Sequence, residues 1–182
     1  MNLSKCDEQR EGLKMYYKIS DFLEDWKYES ESTIKVLSNL TDASLTKNFG
    51  KNIRTPGRLA WHIVGAVSEL GHRMGLAFEE IDQDSPFPLT AKEIVDEYRR
   101  VSDGLIKEIK EKWNDETLSI EDEITGQGDK WSRGKTLGAL VTHQIHHRAQ
   151  LTVVMRLAGL KVPGVYGPAK EEWAGYGMEP QE

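Results

Sequence analysis

The sequence predicts an all-α protein that folds as a four-helix bundle. Four segments repeat apolar residues at helical spacing, most of them are bounded by recognisable capping residues, and the connections between them are short. No internal repeat or linker divides the 182 residues, so we expect one domain over residues 1–182. Within it, we expect residues 1–14 to be flexible and residues 161–182 to form a C-terminal loop and tail.

The first two helices are predicted over Tyr16–Leu40 and from Pro56 to about Phe78. In the first, one stripe contains Ile19, Phe22, Trp26, Thr33, Val36, Leu37 and Leu40. The second has Thr55 as its N-cap and Pro56 at its first position, where a missing N–H is harmless. Its predicted inner face comprises Leu59, Ile63, Ala66, Leu70 and Ala77.

The last two helices flank a segment in which the periodicity changes. Thr90 and Glu93 form a capping box for the third helix, which ends near Trp113. Residues 114–134 then predict a short hairpin or irregular excursion. The fourth helix is predicted from about Lys135 to Ala158, closed by Gly159, and a short helix is possible at Ala169–Trp173.

Composition excludes several classes of protein. The chain has a net charge of −6 and no basic stripe, so we expect no nucleic-acid partner. No apolar run reaches the roughly 18 residues of a membrane span, and the first residues lack the apolar stretch of a signal peptide, so we expect neither a membrane protein nor a secreted one. The single cysteine, Cys6, fits a reducing compartment, and we expect a cytoplasmic protein.

The histidines form the most informative pattern. His143 and His147 are four residues apart on the predicted fourth helix, so their rings lie on one face and can bind one ion. His62, next to the inner stripe of the second helix, is the best third ligand, whereas His72 is expected to face outward. The alternative is that these are ordinary hydrogen-bonded helix-face histidines. Gln144 stands where a zincin-type peptidase has its general-base Glu, which argues against that route of peptide hydrolysis.

Two segments resemble the DinB/YfiT-like metalloenzyme superfamily. They are Leu140–Leu151, with its His-x-x-His-His-Arg block, and Leu59–Val64 around His62; Lys161–Trp173 also resembles bacillus members. One departure is Ala149, where many members have Gly.

The resemblance implies a four-helix bundle, often a homodimer, with one divalent ion per chain, zinc or nickel. Its implied ligands are His62, His143 and His147, the same three that spacing selects. We expect the helix face around Gly71 and His72 to be exposed for dimerisation. Characterised relatives bring a low-molecular-weight thiol to the metal.

The leading interpretation is therefore a metal-dependent transferase that conjugates a small thiol of the bacillithiol type to an electrophilic substrate. A metal-dependent hydrolase is the second interpretation, with Glu69, two turns from His62, as a candidate base that could equally be solvated. A non-catalytic, stress-related metal-binding protein is the third.

Several residues allow two interpretations. Arg148 could bind a substrate carboxylate or form a salt bridge to a neighbouring helix. Trp61 and Trp131 could line a pocket or serve packing. The loop over residues 162–168 could act as a lid or cap the core.

Overall fold

A computed structural model describes residues 15–180, in which four long helices form the bundle and short elements connect them. The expectations for residues 1–14 and for Cys6 lie outside the described residues. The long helices are α1 (Ile19–Leu37), α3 (Pro56–Arg73), α4 (Ala91–Lys112) and α5 (Arg133–Leu157). The short elements are α2 (Asp42–Leu45), strands β1 (Glu121–Glu123) and β2 (Lys130–Ser132), and 3-10 helices at Asp115–Ser119 and Lys170–Tyr176.

The four long helices surround one apolar core. Helix α3 packs against α4 and α5, and α1 packs against the same two helices from the other side. Several large side chains are completely or almost completely buried between them: Phe22, Trp26, Leu37, Ile63, Ile94, Tyr98, Leu105, Ile109, Leu137 and Leu140. The predicted all-α bundle is confirmed. No helix within residues 15–180 has the length and apolarity to span a membrane.

The second long helix ends earlier than predicted, at Arg73 and not near Phe78. Gly75 adopts a left-handed φ of +77°, and the Leu76 N–H donates to the Gly71 carbonyl at 3.1 Å. This is a Schellman termination, which turns the chain back. Phe78 then folds onto the helix, and Ala77 is exposed, so the prediction of Ala77 on the inner face is wrong.

The turn also covers the face that the sequence suggested for dimerisation. Gly71 is buried, and a Cβ built there would lie 2.5 Å from the Phe78 ring. The half-buried His72 bonds through Nε2 to the Phe78 carbonyl oxygen at 2.6 Å. The face around Gly71 is therefore packed within the chain, and the homodimer itself stays a prediction.

The first helix is also shorter than predicted, and the last is slightly displaced. Helix α1 begins at Ile19 and ends at Leu37, although Leu40 remains buried beyond the turn. The predicted excursion contains a hairpin in which Glu121 pairs with Ser132 and Glu123 with Lys130. Ser132 then caps α5 by accepting from the Lys135 N–H, so the helix begins at Arg133.

The C-terminal tail is fastened to α1 and α5. Lys35 donates to the Gly164 carbonyl at 2.8 Å, and the Tyr28 hydroxyl donates to the Val165 carbonyl. Residues of the loop line a cavity of about 560 Å³ against α5, and none of the three predicted histidine ligands lines it. These contacts favour the loop over residues 162–168 as a cap rather than a lid on the histidines.

Candidate metal centre

Three histidine rings converge between α3 and α5. One ring nitrogen each from His62, His143 and His147 lies within 4.8 Å of the other two. The ring centroids are 4.9 Å apart for His62 and His143, 4.5 Å for His62 and His147, and 4.3 Å for His143 and His147. The structure thus brings together the three residues that the sequence selected.

The packing of α3 against α5 fixes this arrangement. His143 and His147 share a face of α5 because they are one helical turn apart. Between them, the buried Gln144 donates from Nε2 to the Ile63 carbonyl oxygen at 3.0 Å. Since Ile63 follows His62, this bond fixes the position of α3 along α5 and so aligns the histidines of the two helices.

Gln83 determines which nitrogen of His62 faces the cluster. His62 Nδ1 lies 2.6 Å from Gln83 Oε1, and Gln83 Nε2 lies 2.6 Å from a carboxylate oxygen of Glu69. A carboxylate only accepts, so the amide must turn its oxygen towards His62. His62 therefore donates from Nδ1, and its Nε2 carries a lone pair.

Gln83 itself is held in place by α3. Arg58 donates from Nη1 to the Gln83 carbonyl at 2.7 Å and to the Ser85 carbonyl at 3.1 Å. The Gln83 side chain fills the space over Gly65, where a Cβ would lie 2.1 Å from Gln83 Cγ. A loop distant in sequence thus supplies a fixed partner to a histidine of the cluster.

His147 has an equivalent partner on its own helix. Its Nδ1 lies 2.8 Å from Gln150 Oε1, while Gln150 Nε2 donates to His146 Nε2 at 3.0 Å. His147 Nε2 consequently carries a lone pair, and it lies only 3.2 Å from Nε2 of His62. Two lone pairs at this separation repel each other unless a cation lies between them.

The third ring, His143, has a buried Nδ1 without a hydrogen-bond partner among the described residues. Burial, followed by the neighbouring rings of His147 and His62, lowers the pKa of His143 to about 4. Burial is also the main cause that lowers the pKa values of His62 and His147. All three rings are therefore neutral near pH 7, the form that binds metal.

These features fit a divalent metal ion. One ring nitrogen of each neutral imidazole lies within 4.8 Å of the other two, and His62 and His147 are oriented by hydrogen bonds at the opposite nitrogen, as metal-bound histidines are. Among residues 15–180, the ligand group contains these three histidines and no carboxylate or thiolate. Three protein ligands leave coordination positions for a small molecule, as in catalytic sites.

The other predicted residues have different contacts. Arg148 is buried and donates to the Glu29 carboxylate at 2.6 Å and to Thr33 at 3.1 Å, which matches its interpretation as an interhelical salt bridge. Glu69 is exposed and accepts from Arg73 as well as from Gln83, so it reaches His62 only through the amide.

The two tryptophans serve packing more than a pocket at the metal centre. Trp61 is buried and donates to the Asp82 carbonyl at 3.2 Å, which holds the loop that contains Gln83. Trp131 lies on β2, with the Lys135 ammonium 5.1 Å from its ring centroid. His146 is exposed and is not part of the ligand group.

Sequence reasoning did not identify Gln83, Gln150 or Arg54 as site residues. Gln150 is three residues from His147, and this helical spacing could have revealed it. Gln83 is in an irregular loop, and no periodic pattern relates it to His62. Arg54 precedes α3, and its positive charge contributes to the lowered pKa values of all three histidines.

A cavity of about 590 Å³ opens beside His147. Its lining residues are Asn52, Ile53, Arg54, Leu59, His147, Gln150, Val153, Val154 and Leu157. Five of these side chains are aliphatic, so the cavity offers an apolar wall next to the three histidines.

The fold and the site together define a helical-bundle protein with a three-histidine candidate metal centre. The DinB family model matches residues 15–182, and the chain belongs to the DinB family. It is 41% identical over 165 residues to the uncharacterized protein YrdA of Bacillus subtilis (strain 168), covering 91% of this chain and 98% of that protein.

Solved structures support the same assignment. The crystal structure of a DinB-like protein from Bacillus cereus ATCC 10987 is 43% identical, with a TM-score of 0.79, and the match covers 84% of this chain and 100% of that one. The DinB-like protein YjoA from Bacillus subtilis is 17% identical, with a TM-score of 0.62 over 80% of this chain and 96% of that one, and it supports the fold alone.

Proposed function

We propose that this protein is a metal-dependent transferase that joins a low-molecular-weight thiol, of the bacillithiol type, to an electrophilic carbon. The observation that supports it is the group of three neutral histidines, which includes no carboxylate among residues 15–180, next to an apolar cavity. A bound zinc or nickel ion would supply a Lewis acid that lowers the pKa of a thiol, and imidazoles suit both metals.

The residues of the chain have three roles in this reaction. His62, His143 and His147 hold the ion, and Gln83 and Gln150 keep two of these rings oriented. The aliphatic wall beside His147 receives the electrophile and limits access of water. In the transfer, the sulfur–carbon bond forms, the carbon–chlorine bond of an aryl chloride breaks, and the chloride ion and the thiol proton pass to solvent.

Hydrolysis has weaker support. A hydrolase of this kind needs a base within hydrogen-bond reach of the attacking water. Glu69, the candidate from the sequence, is instead paired with Arg73 and Gln83. The third interpretation, a stress-related metal-binding protein without catalysis, predicts a metal that no external thiol can reach.

Metal content is the first test. Untagged protein purified without chelator is analysed for metals, as wild type, His143→Ala and His72→Ala, the last being a histidine outside the ligand group. We expect about one zinc or nickel per chain in wild type and in His72→Ala, and none in His143→Ala. Wild-type protein that neither contains nor takes up either metal would refute the proposal.

Activity is the second test. The metal-loaded protein is incubated with a panel of small thiols and a chlorinated aromatic compound, and the absorbance of the conjugate is followed. We expect metal-dependent conjugation that His143→Ala abolishes. If metal binds but no thiol in the panel reacts or alters the spectrum of the cobalt-substituted protein, the non-catalytic interpretation replaces the transferase.

A further inference from the structure

The cavity beside His147 has one cationic side chain and no acidic one in its lining. Its aliphatic residues form the wall, while Arg54 lies with Asn52 on the segment that precedes α3. A pocket of this composition complements a molecule that has a hydrocarbon body and one negative charge.

Arg54 is free to bind such a charge. Within residues 15–180, its guanidinium has no ion pair or hydrogen bond, whereas nearby Arg58 is bound to two loop carbonyls. Arg54 is exposed at the cavity, so an incoming anion does not need to displace a protein carboxylate. Its planar fork matches a carboxylate in a bidentate geometry.

The position of Arg54 relative to His147 determines how a bound molecule would be oriented in the cavity. Arg54 and His147 both line this cavity, and Val153 and Val154 of its aliphatic wall lie on α5, as His147 does. An anionic group at Arg54 would therefore leave the remainder of a small molecule along Val153 and Val154, next to His147.

We propose that this cavity binds a small carboxylic acid with an apolar body, that Arg54 pairs with its carboxylate, and that the rest of the molecule extends towards His147. The inference rests on the proposed function, because it states which substrates the metal centre would meet. The carboxylate belongs either to the thiol or to the electrophile, and the two possibilities share this recognition chemistry.

Binding to metal-free protein tests the carboxylate site without the metal. The probes are 4-phenylbutanoate and its uncharged counterpart 4-phenylbutanol, titrated by NMR at pH 7. We expect wild type to bind the acid about tenfold more tightly than the alcohol, since one charge-assisted pair contributes about this much. Arg54→Gln should abolish the preference, Arg54→Lys should restore part of it, and Lys51→Gln, an exposed cation outside the cavity lining, should retain it.

Equal binding of acid and alcohol by wild type, or an acid preference that persists in Arg54→Gln, would overturn the inference. Circular dichroism checks that each metal-free variant keeps its helical content. A carboxylate preference without any turnover would refute the transferase alone, and turnover without the preference would refute the anion site alone.

Kinetics with metal-loaded protein then identify the source of the carboxylate. One arm pairs a carboxylate-bearing thiol with a neutral electrophile, and the other pairs a neutral thiol with a carboxylate-bearing electrophile. Arg54→Gln should raise KM about tenfold for the carboxylate-bearing partner and leave kcat little changed, because Arg54 binds away from the reacting atoms. An unchanged KM in both arms would contradict the role of Arg54.

Discussion

Two glutamine amides determine which ring nitrogens of the candidate metal centre carry lone pairs. Gln83 and Gln150 each accept from Nδ1 of a histidine, so His62 and His147 both direct Nε2 lone pairs inwards. The two Nε2 atoms lie 3.2 Å apart, and a cation between them would relieve the repulsion of their lone pairs. The orientation of the rings is thus set by residues that would not touch the ion.

Replacing Gln83 should weaken metal binding without removing a ligand. Gln83→Leu takes away the acceptor for His62 Nδ1, and loss of such an outer-shell partner typically lowers metal affinity by about 10–100-fold. The affinity is measured by competition with a chromophoric chelator. Gln127→Leu, in the exposed hairpin turn, is the matched control and should bind metal like wild type.

Gly65→Ala provides a second variant for the same prediction. A methyl group at this position would lie 2.1 Å from Gln83 Cγ, so the Gln83 side chain must move, although alanine favours the helix. Gly175→Ala, where a Cβ meets no atom within 4 Å, is its control. Wild-type metal affinity in both Gln83→Leu and Gly65→Ala would show that the amide does not orient the ligand.

Whether each of these residues could be predicted depends on how far it lies in the sequence from its partner. His143 and His147 could be paired because helical spacing fixes their relative direction, and His62 because it borders an apolar stripe. Gln83 could not be predicted, because its position depends on Arg58 and Trp61 binding an irregular loop. Local periodicity contains no information on such a contact.

At the scale of elements, a buried ion pair joins α1 to α5. Arg148 and Glu29 are both buried, and Tyr166 of the tail also hydrogen-bonds to the Glu29 carboxylate. Burial, and then this carboxylate, raise the pKa of Tyr166 to about 12, so its hydroxyl stays protonated and donates near pH 7. One network therefore joins α1, α5 and the C-terminal tail.

Glu29→Ala should destabilise the protein strongly. The substitution leaves the Arg148 guanidinium buried without its counter-charge, and breaking a buried pair in this way costs about 3–5 kcal/mol. Urea unfolding measures the change in the free energy of unfolding. Glu171→Gln, which removes the more exposed pair with Arg156, should cost less than about 1 kcal/mol. Similar losses in the two variants would contradict the structural role of the buried pair.

The ends of the elements were harder to predict than the elements themselves. The caps at Thr55 and Thr90 are confirmed, because a side-chain hydroxyl and a backbone N–H three residues later form a local pair. The end of α3 was missed, because apolar spacing continues past Arg73 to Phe78. Gly75 overrides that spacing by adopting a left-handed backbone, and Phe78 finds its apolar contact against Gly71 and Gly104.

At the scale of the whole molecule, burying three neutral histidines links the stability of the metal-free bundle to pH. The pKa of His143 is about 4 in the folded chain and 6.5 when unperturbed, so the unfolded state binds a proton first as the pH falls. Stability from this group is therefore complete above about pH 6.5 and is lost as the pH decreases towards 4. The lowered pKa values of His62 and His147 act in the same direction.

Metal-free protein should accordingly lose stability between pH 7 and pH 5, and His143 should account for part of the loss. Discounting the shift for solvent screening at a partly exposed ring, we expect His143 to contribute about 1 kcal/mol over this interval.

Urea unfolding in the presence of chelator gives the free energy of unfolding at each pH for wild type and for His143→Leu, which keeps a side chain in the space but cannot be protonated. Between pH 7 and pH 5, the free energy of unfolding of wild type should fall by about this much more than that of His143→Leu. Carboxylates titrate in both proteins and cancel in the comparison. An equal loss in wild type and variant would mean that burial between α3 and α5 does not lower the pKa of His143.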